Sequence, residues 1–277
     1  MSSITYKIAL LKYLTGSLPW ALALICVANI SELNSATTFI WDAGGGDSNF
    51  STGANWDTWD GTDASLSAGD TILFDNTGLS DLSPNLDIAY STQLGELAFA
   101  GNNSYSVLDG GGSLNFADMA QIVNNSSDAQ TFAGDVFANG SQFTIDAGIT
   151  AGGSLMLSGP IDLSDTTGVQ LKVTGTNDTT IAGNITGTGG SLVKNDTGTL
   201  TLSGTNTYTG ATDIQAGKII FGSDDALGTS NVAMATGSTL SSSTNGITVA
   251  NDIAATGSVT LESTGGAQTY SGTISGT

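Results

Sequence analysis

The chain has 277 residues, of which 25 are acidic and five are lysine; it has no arginine and no histidine, and its net charge is −20. So acidic a surface repels nucleic acid and anionic lipid headgroups. Without histidine, and with Cys26 as the single cysteine, Ser-His-Asp and Cys-His nucleophile systems and His/Cys zinc sites are excluded.

Residues 1–36 read as a secretory signal peptide. Lys7 and Lys12 precede an apolar run from Leu18 to Ile30, and Ser-Glu-Leu-Asn-Ser-Ala follows. The run, about 13 residues, is shorter than the ~20 of an ordinary membrane span. Cleavage is expected after Ala36, with Ala28 as the alternative site and an uncleaved anchor as the alternative reading. Ile25 stands where a lipoprotein signal needs a small residue before Cys26, which argues against a lipid anchor. The mature chain would then hold no cysteine. That suits a solenoid, whose coils are joined by hydrogen bonds rather than disulfides.

Residues 37–69 hold Trp41, Trp56 and Trp59, with Phe39 and Phe50 beside them. Two readings compete. Exposed aromatic faces would stack on sugars and make a glycan-binding platform. Buried ones would form an N-terminal cap over the open edge and apolar end of a first coil. The cap is preferred, with Trp41 and Trp56 mostly buried. The clusters Gly44–Asp47 and Asp109–Gly112 resemble half of a calcium nonapeptide, but neither continues in tandem. They are read as turns. No cofactor is expected, and weak Ca2+ binding is the alternative.

Residues 70–277 show no change of composition and no linker. Short β runs are expected at Asp70–Phe74, Leu86–Ala89, Glu96–Phe99, Ser113–Phe116, Ser191–Lys194, Thr199–Ser203, Thr212–Gln215 and Lys218–Phe221. Gly, Asn, Asp and Ser fill the joints. In Thr199–Ser203, Leu200 and Leu202 alternate with Thr and Ser. That is the period of a strand with one buried face, so Leu200 and Leu202 should point inward. The phrase Thr131-Phe132-Ala133-Gly134-Asp135-Val136 recurs from Thr180, from Thr248 and from Thr269. The spacings are near-multiples of roughly 20–25 residues. A second phrase, Gly-Ser-Leu-x-Leu-Ser-Gly, spans Gly153–Gly159 and returns with Thr for Ser at Gly198–Gly204. At roughly 22 residues per turn this stretch holds about nine coils.

The stretch Thr199-Leu200-Thr201-Leu202-Ser203-Gly204-Thr205-Asn206-Thr207-Tyr208-Thr209-Gly210 resembles the core of the autotransporter-associated β-strand repeat. Ala216–Ile219 and Asp225–Gly228 are similar to its continuation. The resemblance implies an all-β fold: a right-handed parallel β-helix (β-solenoid) with three strands per coil. It also implies a bacterial surface passenger. Proteins with such repeats often open on a Trp-Asp-Gly-rich segment, which agrees with the cap. Nothing here alternates like the ten-residue strands of an outer-membrane barrel, so the resemblance is to the passenger alone.

The expected function is a non-enzymatic, secreted or cell-surface, structural or adhesin-like protein. The alternative is a carbohydrate-binding module using Trp41, Trp56 and Trp59. A β-helical polysaccharide lyase or hydrolase is the third reading. Lyases of this kind use a basic residue, often Arg, and the one acidic doublet that invites comparison with a hydrolase is Asp224-Asp225. Expected partners are extracellular glycans or surface proteins, with no nucleic acid and no membrane insertion of the mature chain. The solenoid phrase runs to Ser-Gly-Thr, so end-to-end association through an uncapped last coil is a further expectation.

Overall fold

The computed structural model describes residues 36–41, 48–52, 56–58 (backbone only), 68–75, 83–87, 89–148, 153–166 and 168–277. The expected signal peptide lies outside the described residues except for Ala36. Residues Ala36–Thr277 form one compact unit. It is an all-β parallel β-solenoid of about nine turns.

Two long ladders carry the solenoid, one of 15 strands and one of nine, with a two-stranded ladder beside them. The strand pairs are parallel, except that Trp56–Thr58 runs antiparallel to Thr38–Trp41 at one edge of the larger sheet. Because each coil lies in register on the last, side chains stack in columns. In the nine-stranded sheet Phe132, Leu157, Ile181, Leu202 and Phe221 follow one another on successive rungs. Leu200 and Leu202 are fully buried, and Thr199 and Thr201 lie half-buried on the outer face, as the alternation requires. In the larger sheet Ile122, Ile145, Val173, Lys194, Ile214 and Met234 make a second column.

A third strand is present in some coils and absent in others. Asp135–Ala138, Ile161–Asp162 and Ile185–Thr186 pair in sequence. No strand forms between Leu202 and Thr212. There the Asn206 carboxamide does what a strand would do. Its oxygen accepts the Ile185 N–H at 2.8 Å, and its nitrogen donates to Ala226 O at 2.6 Å. Thr207 N–H donates to Ile185 O at 2.9 Å. Two residues on, the buried Tyr208 hydroxyl pairs with Thr212 Oγ1 at 2.6 Å, and Thr212 donates to Leu227 O. The Asn206 and Tyr208 side chains therefore help tie three coils together where no strand forms.

The two recurring phrases meet at one corner. Gly134, Gly159, Gly183 and Gly204 sit above one another, and the backbones approach closely there. A Cβ on Gly159 would lie 2.1 Å from Gly134 O, one on Gly183 1.9 Å from Gly159 O, and one on Gly204 2.4 Å from Gly183 O. At these three no side chain fits, and the obstacle is backbone. Glycine is used here for closeness, since none of the four has a positive φ.

Two strands are longer than expected. Ala89–Phe99 and Ser113–Asn124 each turn a corner without a break, with register shifts between Tyr90 and Gln93 and between Leu94 and Glu96. Met119, in the second strand, takes φ 61° and is 63% exposed. The bulges re-aim the chain from one face to the next.

Candidate functional site: the aromatic end and the buried lysine

The strand Thr38–Trp41 alternates outward Thr38 and Ile40 with inward Phe39 and Trp41. Trp41 has no exposed surface. Its ring lies 5.6 Å from Phe50 and 6.3 Å from Phe74. Phe74 stacks on Phe99 at 5.2 Å, and Tyr105 tilts against both. The result is a continuous aromatic spine running into the first coils, and aromatic pairs at these separations add to plain burial. Phe50 is anchored there by polar contacts. Its N–H donates to Asn85 O at 2.9 Å, and its carbonyl accepts the Tyr90 hydroxyl at 2.9 Å. Asp70, itself buried, accepts Thr37 N–H at 2.7 Å and fixes the start of the strand.

Of the three tryptophans considered as a glycan platform, Trp41 is closed to ligand because its faces are taken by Phe50 and Phe74. Trp56 lies opposite it in the antiparallel register. The Trp56 side chain and the whole of Trp59 lie outside the described residues. The aromatic partners Phe74, Phe99 and Tyr105 were not singled out from sequence. The signal was there in part, since Phe74 and Phe99 end strand runs at equivalent positions.

The other chemically distinctive group is Lys194. It occupies a rung between Val173 and Ile214 in an aliphatic column and is 1% exposed. Its ammonium donates to the carbonyls of Asn195 and of Asp196, the latter at 2.9 Å. Burial pulls its pKa down from 10.5 to about 8, against a smaller upward pull from the Asp196 carboxylate. The native protein thus releases this proton before the unfolded chain does. The cost of holding a buried ammonium is present below pH 8 and is relieved as pH climbs toward 10.5. Stability should therefore rise between pH 8 and about 9.5, on the order of 2 kcal/mol. Above pH 10 the trend reverses, because burial holds Tyr90 and Tyr105 protonated to about 12 while unfolded tyrosines ionise. Urea melts of wild type and Lys194→Met across pH 7–9.5 test this. The rise should vanish in the variant, and parallel profiles would refute it.

The acidic doublet lies at a corner between coils. Asp224 accepts Thr248 N–H at 2.9 Å, and the Asp225 carbonyl accepts the Asn206 and Gly228 N–H groups. Gly228 packs against the Tyr208 ring at φ +70°, where a Cβ would fall 2.5 Å from ring carbon. At Asp109 the carboxylate accepts Gly111 N–H at 2.8 Å and closes a turn. Gly44–Asp47 lies outside the described residues. Among the described residues no group of three or more carboxylates, histidines or cysteines converges.

Residues 192–219, the stretch that contains Lys194, Asn206, Tyr208 and Thr212, match the passenger-associated-transport-repeat model. The chain is similar to the adhesin BmaC autotransporter of Brucella suis biovar 1 (strain 1330), 41% identical over 98 residues. Those residues are 34% of this chain and 3% of that protein, so the chain spans a small part of its relative. No solved structure matches. The matched repeat, the similarity to an adhesin and the parallel β-solenoid together fit an autotransporter passenger repeat protein.

Proposed function

We propose that the chain is a non-enzymatic, adhesin-like passenger that works at the cell surface or after secretion. The observation that carries this reading is the match at 192–219, a stretch whose buried polar groups are spent on structure, as are those that follow it. Asn206 and Tyr208 hold coils together, and Asp224 and Asp225 close corners. The similarity to a protein named as an adhesin supports it. A solenoid offers what adhesion needs: a long, regular outer face on a rigid stacked core. In the test, beads coated with the full chain are settled on epithelial monolayers and on matrix-coated plates, then washed under flow. Retention well above that of beads coated with an unrelated acidic protein is expected. Equal retention on every surface would overturn the proposal.

A further inference from the structure

We propose that the shallow cavity around Phe137 binds a single neutral pyranose ring of a glycan. This deepens the adhesin reading and depends on it for its biological use, but the site can be tested without it.

Val136 and Ala138 are buried, so Phe137 between them faces outward and is 38% exposed. Its partners on the adjacent coils are Asn115 and Asp162, and Thr186 lies one rung beyond. An aromatic ring therefore interrupts a column of small polar side chains. One exposed Phe is ordinary on a protein surface. This one lies in a cavity of about 140 Å3 whose wall also includes Asn115, Asn139, Asp162, Ser164 and Asp165. Drug-sized pockets run to roughly 300–1,000 Å3, so the space suits one ring and not a chain.

The rim is rigid. Asp162 Oδ1 accepts Ser164 N–H at 2.9 Å. Asp165 accepts Gly140 N–H at 2.5 Å and Thr166 N–H at 2.6 Å, which hold its carboxyl below the usual range and keep it an acceptor. Asn139 Nδ2 donates to Phe116 O at 2.8 Å. Adjacent rungs are ~4.8 Å apart, so Asn115 and Asp162 flank the ring on both sides. An apolar face bordered by fixed carboxylate and amide groups matches a pyranose. Its C–H face covers the phenyl ring while its hydroxyls donate to carboxylate oxygens. The same carboxylates, on a chain of net charge −20, repel uronates, sialates and sulfated sugars.

The experiment uses the full chain on an array of neutral, amino, sialylated, uronate and sulfated glycans. Saturation-transfer NMR with methyl pyranosides and a melting curve accompany it for each variant. Wild type should bind neutral glycans and no anionic ones. Phe137→Ala should weaken binding by about tenfold or more with an unchanged melting temperature. Phe137→Trp should retain binding, and Asp162→Asn should weaken it. Absence of neutral-sugar binding, a preference for anionic sugars, or full binding by Phe137→Ala each overturns the site. Phe137→Ala beads that still adhere while sugar binding is lost would separate the two readings, leaving adhesion to another face.

Discussion

Leu202→Asp is expected to unfold the middle of the solenoid. Leu202 has no exposed surface and lies between Ile181 and Phe221 on the neighbouring rungs. The backbone N–H groups around it are committed to the ladders, so a carboxylate placed there meets methyl groups and an aromatic ring with no donor. An uncompensated buried charge is far too costly to keep, so the carboxyl either protonates or drags the coil open. The loss should be about 4–5 kcal/mol or more, the range reserved for burying an unpaired charge. Thr201→Asp, one residue away on the outer face, should stay within about 0.5 kcal/mol of wild type. Urea and thermal melts of the pair provide the comparison. In a solenoid each coil contacts its neighbours alone, so amide exchange in Leu202→Asp should rise first in the strands Thr179–Ile181 and Lys218–Phe221. Equal stability of the two variants would mean that Leu202 is not in the core.

The fold was legible where the chain repeats itself and where one face is apolar. Ser191–Lys194 and Lys218–Phe221 were readable to the residue because short aliphatic and aromatic runs stand between glycine-bearing joints. The recurring Ala-Gly and Ser-Gly phrases could be seen as repeats, yet their reason could not. It is the contact of one backbone with another, as at Gly183 over Gly159, and that exists only once coils are stacked. Ala89–Phe99 was readable at Ala89, as the end of the expected run Leu86–Ala89, and in its last four residues. The segment Ala89-Tyr90-Ser91-Thr92-Gln93 has no alternation because a bulge, rather than a turn, carries it round the corner. Lys194 is a charged residue at the end of a strand. Period two placed it inward, in line with Leu192, and its amine is held by two local carbonyls that no pattern announces. Phe137 could have been found by the same rule. Inward Val136 implies an outward Phe137, but the cavity around it depends on Asp162 and Asp165 from the next coil.

Trp41→Ala is the second change with a large expected effect, and it also decides between capping and binding at the aromatic end. Removing the indole would leave Phe50 and Phe74 facing a void at the end of the spine, because Phe50 is fixed by Asn85 and Tyr90 and cannot move in to fill it. Truncating a buried aromatic side chain in this way costs ~3–5 kcal/mol. Trp41→Phe keeps an aromatic neighbour for both rings and should cost less than half as much. Glycan binding should survive in Trp41→Phe, since no face of Trp41 reaches solvent and the proposed sugar cavity is built from other coils. Thermal melting of the two variants, with the same glycan array applied to the folded fraction, gives both readouts. A Trp41→Ala protein that melts like wild type but no longer binds sugar would move the binding site to this end of the solenoid and remove the cap.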